Sequence, residues 1–168
     1  MLSTLVVTNA DSILLRPWYR QLLSERTKLS GTAAEVLNSV APRLAERFEP
    51  LVNAYVPPLL LLCARTNKVA LKRAEKCLQL IAKHCRLSSM LPLLREACKD
   101  KFAGLRVVAV GTTATLIEYG GKTKLNRKVT DVEAIVQSAA TDSNVEVRHT
   151  CKRLFELYVV VWPERVER

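Results

Sequence analysis

The chain has 168 residues, enough for one domain with a real core, and is 49% hydrophobic and 25% charged, which excludes a disordered polymer. Twenty-six Lys and Arg against sixteen Asp and Glu leave a formal charge of +10, a surplus that selects an acidic partner: another protein, nucleic acid or an anionic membrane. Five glycines and few aromatics argue against a many-turned β fold, and the spacing of Leu, Ala, Val, Lys, Arg and Glu favours helix.

The opening Met1-Leu2-Ser3-Thr4-Leu5-Val6-Val7 has no basic segment and only a short apolar run, so it reads as a poor signal peptide. From about Ala10 to Leu23, the positions Ile13, Leu14, Trp18, Leu22 and Leu23 form a helical stripe interrupted by Pro17, with Trp18 expected in the core. Ser24 to Gly31 reads as a polar turn carrying Thr27 and Lys28. A second helix is expected from about Thr32 to Phe48, with Val36, Leu37, Val40, Leu44 and Phe48 inward and a bend or break at Pro42.

Pro50 suits a helix start, and Leu51, Tyr55, Leu59, Leu62 and Cys63 follow as an apolar stripe expected to bend at Pro57-Pro58. The run Pro57 to Ala64 is apolar but far too short to span a bilayer. Arg65-Thr66-Asn67 is a tight turn before a helix from Lys68 to Cys85, whose outer side carries Lys68, Lys72 and Lys76 in steps of four. Ser88-Ser89 is a candidate cap for the next helix, striped by Met90, Leu91, Leu94 and Cys98. The turn from Lys99 to Gly104 leads into Leu105 to Tyr119, rich in Val and Thr. A strand is the alternative there for Leu105 to Val110, and the surrounding period favours helix. Gly120-Gly121 ends the element, and Lys122 to Lys128 reads as a basic loop.

The last pair runs from about Val129 to Ala140 and from Val145 to Trp162. Thr141 to Asn144 are residues that start helices, and Val147, Cys151, Leu154, Tyr158 and Val161 make the buried stripe. Arg148, His149, Lys152 and Arg153 lie on the other face, crowding cations where the helix macrodipole favours anions. A local rule broken in this way marks a surface kept for a partner.

The helical pairs occupy about residues 10–48, 49–87, 88–121 and 129–163, a period of roughly 40 residues that fits HEAT or armadillo units. Asn67-Lys68-Val69-Ala70-Leu71-Lys72 and Asn144-Val145-Glu146-Val147-Arg148 repeat one pattern at the start of a second helix. The expected fold is therefore all-α, an α-solenoid of about four stacked hairpins forming a single domain over residues 1–168. Stacking lines the intra-pair turns along one edge, so the cations at Thr27-Lys28, Asn67-Lys68, Lys101, Arg106 and Arg148 become one positive ridge.

Two stretches resemble a known family. DSNVEVRHTCKRLFELY with the tail WPERVER resembles the closing repeat of TOG domains in the CLASP family of microtubule-associated proteins. FEPLVNAYVPPLLLLCARTNKVALKRAEKCLQLI resembles a middle repeat of the same domain, and the likeness extends over about Phe48 to Arg168. The resemblance implies a flat paddle of HEAT repeats whose turn edge binds the curved αβ-tubulin heterodimer or the microtubule and regulates microtubule dynamics, with cytoplasmic, cytoskeletal and spindle localisation. It implies contacts from Asn67, Lys68 and Lys72, from Arg148 and Lys152, from Lys101 and Arg106 in the intervening turn, and from Thr27 and Lys28 in the earlier one. Family TOG domains carry six repeats where about four are found here.

No catalytic activity, cofactor or metal site is expected. The five cysteines include no CxxC pair and fall on inward helix positions, whereas His84 and His149 point outward. No paired-carboxylate, Ser-His-Asp or glycine-rich phosphate motif occurs. The competing functions are a HEAT scaffold for another acidic protein or a homodimer, and nucleic-acid binding. Against the last, no aromatic residues interleave the basic turns to stack bases.

Overall fold

The computed structural model describes residues 18–24 and 26–166, with Trp18, Tyr19 and Thr27 described by backbone only. The expected placement of Ile13, Leu14 and Pro17, and of the Trp18 side chain in the core, lies outside the described residues. Among those described there is no strand, and nine α-helices are joined by short turns. They are α1 (Trp18–Leu22), α2 (Thr27–Leu44), α3 (Val52–Cys63), α4 (Lys68–Cys85), α5 (Met90–Ala97), α6 (Ala103–Gly120), α7 (Lys122–Leu125), α8 (Val129–Ala140) and α9 (Val145–Val161). Three 3-10 segments, Ala45–Leu51, Asn126–Lys128 and Pro163–Arg165, complete the chain.

The helices form two layers. In one, α2, α4, α6 and α9 lie side by side in chain order; in the other, α1, α3, α5 and α8 do the same. Neighbours within the first layer run parallel. Cys77 and Cys85 of α4 donate their thiols to the carbonyls of Ala34 and Ala41 in α2, so both helices advance together. Gln79 of α4 bonds Thr112 and Thr115 of α6 at a similar depth, and Arg153 of α9 reaches Glu118 of α6. Each hairpin leaves an apolar face that only the next hairpin can bury, which is the logic of a solenoid. Phe48, Leu59, Leu78, Ile81, Leu94, Leu116, Leu154 and Trp162 are among the side chains sealed between the layers.

Burial explains why α6 is a helix despite its Val and Thr content. It is flanked by α4 and α9 and covered by α3, α5 and α8, so Val108 to Val110 and Thr112 to Ile117 are all buried. Such a helix has no polar stripe to advertise its period. Its threonines fold inward on the helix itself, Thr113 donating to the Ala109 carbonyl at 2.9 Å and Thr115 to the Gly111 carbonyl at 3.2 Å.

Several expected boundaries move. The polar turn at Ser24 to Gly31 is shorter than expected, because α2 starts at Thr27 and takes Lys28 to Gly31 into its first turns. Gly31 is the point where the Arg73 guanidinium lies against α2, 3.3 Å from where a Cβ would stand. Pro57-Pro58 does not interrupt α3, which runs through to Cys63, whereas α2 ends at Leu44, two residues past Pro42 and short of the expected Phe48, where Ala45 takes a φ of 50° and a 3-10 segment begins. Pro50 sits inside a 3-10 segment, and α3 begins two residues later. Ser89 occupies the N-cap position of α5, yet neither serine caps it by its side chain; the Ser89 hydroxyl is buried without a partner. The basic stretch Lys122 to Lys128 is not a loop but α7 and a 3-10 turn, pinned by the fully buried Leu125.

Candidate functional site: the edge of helix starts

Because α2, α4, α6 and α9 run parallel, their first turns emerge along one edge of the slab. Two of these starts are built alike. Asn67 accepts the amides of Val69 at 3.0 Å and Ala70 at 3.2 Å through its side-chain oxygen. Asn144 accepts those of Glu146 at 2.9 Å and Val147 at 3.4 Å. The N-cap oxygens satisfy amides that a helix start leaves orphaned, and they fix the angle at which the next residues leave the turn. Between them, the start of α6 is held by Asp100, which accepts the Phe102 amide at 2.9 Å.

Adjacent turns are tied together. A Cβ on Gly104 at the start of α6 would stand 3.2 Å from the Leu71 side chain in the first turn of α4. Arg106 of α6 grips Asp142 of the α8–α9 turn, Nε to Oδ2 at 2.6 Å and Nη2 to Oδ1 at 2.8 Å. The edge is therefore continuous from α4 through α6 to α9.

On this edge Lys68 and Lys72 are exposed along α4, and Arg148 and Lys152 are exposed along α9. Arg148 is held by its own turn, its Nη1 donating to the carbonyls of Asp142 at 2.6 Å and Ser143 at 3.0 Å. Lys101 is exposed, with its ammonium 5.4 Å from the Phe102 ring centre. Lys28 is exposed in the first turn of α2 on the same edge, whereas the Thr27 side chain lies outside the described residues. Asn67 is exposed but spends its oxygen on the cap.

Arg106 differs from the expectation. Only 13% of its side chain is exposed, and its remaining donor reaches the carbonyls of Asp100 at 2.8 Å and Lys101 at 3.1 Å. Its charge is matched by Asp142, whose side chain is 8% exposed. Arg106 thus rivets two turns, with little of its side chain displayed on the edge. The hydrogen bond to Arg106 holds the Asp142 carboxyl below its ordinary pKa against the opposing effect of burial, and the Asn144 amide adds to the lowering. The Arg106 guanidinium is correspondingly pushed up, chiefly by the same hydrogen bond.

The sequence reading missed Asp142 as the partner of that rivet, although Arg106 and Asp142 stand 36 residues apart, close to one repeat length. It also missed three apolar groups on the edge, each at a helix start: Val69 (54% exposed) next to Lys68, Phe102 (39%) next to Lys101, and Val145 (67%) three residues before Arg148. Their signal was the apolar residue directly after each polar turn.

Among the described residues no group of three or more His, Cys, Asp or Glu side chains comes together. All five cysteines are free and buried, and burial pushes the thiols of Cys63, Cys77, Cys85 and Cys98 up to about 12. No helix among the described residues is long and apolar enough to cross a membrane.

The fold and the edge define a class: a two-layered, all-α HEAT-like solenoid with an aligned row of helix starts. The same architecture appears in an engineered protein of known structure, similar over 88% of this chain and 63% of that one with a TM-score of 0.51 at 20% identity. A second engineered protein matches with a TM-score of 0.50 at 20% identity, over 88% of this chain and 38% of that one. Residues 13–168 match the family described as CLASP N terminal, and the chain belongs to that family of microtubule-associated proteins. It is 26% identical over 157 residues to a CLIP-associated protein of Arabidopsis thaliana, covering 92% of this chain and 11% of that protein. It is 30% identical over 139 residues to protein peg1 of Schizosaccharomyces pombe (80% and 10%), and 26% identical over 158 residues to protein stu1 of Aspergillus fumigatus (88% and 11%). The chain therefore spans about a tenth of the length of these relatives.

Proposed function

We propose that the edge of helix starts binds αβ-tubulin, free or in the microtubule, and that the domain thereby regulates microtubule dynamics in the cytoplasm and on the spindle. The observation that carries this reading is the repeated start: Asn67-Lys68 on α4 and Asn144 with Arg148 on α9, capped alike and facing the same way in a chain of the CLASP N-terminal family. Lys68, Lys72, Lys101, Arg148 and Lys152 are the contact cations, with Lys28 at the near end of the row. Val69, Phe102 and Val145 add apolar contact between them. Arg106 and Asp142 set the spacing of the turns and touch no partner.

The mechanism is binding by a preformed surface. Attraction between the cations and an acidic tubulin surface raises the encounter rate, and the capped turns fix the register of the bound state. Salt weakens such binding because most of the cations are exposed.

The test is co-elution of the domain with purified tubulin by size exclusion, wild type against Lys68→Glu with Arg148→Glu. Co-elution of the wild type and its loss in the folded double variant are expected. Equal co-elution of both removes the edge from the interface, and a wild type that never co-elutes removes tubulin as the partner.

A further inference from the structure

The charge of +10 is not confined to the edge of helix starts. The opposite edge carries a second basic cluster. It is built from the C-terminal end of α4 with its cap Arg86, and from Lys122 to Lys128, where Lys122, Lys124, Arg127 and Lys128 stand without one intervening carboxylate. Arg86, Lys122, Lys124 and Arg127 are exposed. Arg86, Lys124 and Arg127 border a shallow concavity of about 430 Å³, lined also by Leu87, Ser88 and Thr123 and by Glu46 and Glu49 of the first inter-hairpin segment.

Part of this charge has an ordinary explanation. Lys83, His84 and Arg86 sit at the C-terminal end of α4, where the macrodipole favours cations. Arg127 and Lys128 do not, because they stand directly before α8, whose start repels cations. Lys122 and Lys124 are tied down by Glu164 of the C-terminal 3-10 segment and Glu46 of the first inter-hairpin segment, which holds the stretch in place. Arg86 donates through its Nε to the Lys83 carbonyl at 3.3 Å, and its charge also acts on Glu46. The segment is fixed by the buried Leu125, so its cations are displayed on a rigid support.

We infer that this far-edge concavity, centred on Arg86, Lys124 and Arg127, is a second binding site, and that it takes an extended acidic polypeptide segment. A peptide can space its carboxylates to meet Arg86 and Arg127 while its amides and uncharged side chains pass Glu46 and Glu49. A phosphate ladder, charged at every unit, cannot skip those two carboxylates as a peptide with spaced acidic residues can. Of the aromatic rings near this edge, Phe48 and Trp162 are fully buried and Tyr119 carries the Lys83 ammonium over its face, 5.1 Å from its centre, so none is free to stack a base. Because the site lies on the edge opposite the helix starts, the domain can hold an acidic segment there while its turn edge is occupied.

The test uses a fluorescein-labelled peptide whose glutamates are spaced by serine and glycine, and reads anisotropy at low ionic strength. Arg86→Glu with Arg127→Glu is compared with Lys68→Glu with Arg148→Glu, which changes the net charge equally on the other edge. The far-edge pair is expected to weaken peptide binding about tenfold or more, and the turn-edge pair to stay within about threefold of wild type. The neutral pair Arg86→Gln with Arg127→Gln is expected to weaken binding in the same direction by less, which separates lost pairing from introduced repulsion. Equal weakening by both reversed pairs, or no weakening by the far-edge pair, overturns the site. Tighter binding of a duplex oligonucleotide or of phosphatidylserine vesicles than of the peptide, lost in the far-edge variant, overturns the polypeptide assignment.

Discussion

Arg106 and Asp142 meet in a two-pronged ion pair, 2.6 and 2.8 Å, that joins the start of α6 to the turn before α9. Both side chains are largely withdrawn from solvent. Truncating one partner leaves the other buried without its match, which costs more than the intact pair contributes. Arg106→Ala is expected to destabilise the domain by about 2 kcal/mol, between the cost of losing a charged hydrogen bond and that of breaking a fully buried pair. In a chain of this length that is a fall in Tm of roughly 4–8 °C, read by thermal circular dichroism. A change within about 1 °C would show that the contact contributes nothing.

The same pair makes stability depend on pH. The Asp142 pKa is depressed in the folded chain, chiefly by the Arg106 hydrogen bond, and Glu133 is depressed chiefly by Arg165. A depressed carboxyl contributes stability that is fully present above its unfolded pKa and is lost as pH falls through the folded value. Stability is therefore expected to be flat near neutrality and to decline once pH passes below about 4, the ordinary carboxylate range. Asp142→Asn should be less stable than wild type at pH 7 and converge on it as the pH drops below that range. Urea midpoints measured across the acid limb check this, and parallel curves for the two proteins would refute it.

Much of this arrangement was readable before any coordinates. Inward stripes at helical spacing gave the hairpins, and Asn67-Lys68 and Asn144 to Arg148 gave two equivalent starts. Long-range pairings were not legible. Arg106 looks like Lys68 or Arg148 along the chain; only Asp142, brought alongside by stacking, turns it from a displayed cation into a rivet. Lys122 to Lys128 looks like a loop because its cations outnumber its single anchor, Leu125, whose burial makes it a helical turn. The onset of α2 was misplaced because Ser24 to Gly31 is locally polar, while the helix is held by packing on α4 and not by its own propensity. Val69 and Val145 entered only as members of the repeated start pattern, with no side assigned, and in the fold both stand exposed on the edge.

The two asparagine caps offer a paired test of the shared construction. Asn67→Ala and Asn144→Ala each remove one acceptor that satisfies two helix-start amides. Each is expected to cost about 1 kcal/mol. The caps share no partner, so the double variant should lose the sum within about 0.5 kcal/mol. Chemical denaturation of the single and double variants measures this. A loss at one site only would mean the two starts are not equivalent.

Gly111 marks a place where the chain can be made more stable without touching either edge. It lies in the middle of α6, and a helix-interior glycine costs roughly 0.5–1 kcal/mol relative to alanine because it gives up more backbone freedom on folding. A Cβ there would meet Gln79 at 3.6 Å and Thr150 at 3.7 Å, both ordinary contacts. Gly104 is tighter, with Leu71 at 3.2 Å, so alanine there must move a neighbour. Gly111→Ala is therefore expected to raise the Tm by about 1–4 °C. The substitution adds a methyl between α4 and α9, the two helices whose starts carry Lys68 and Arg148, without altering either start. A stabilised Gly111→Ala protein that keeps wild-type tubulin co-elution would separate the stability of the scaffold from recognition at its edge. A lower Tm would show that the spacing of α4, α6 and α9 tolerates no added methyl at this depth.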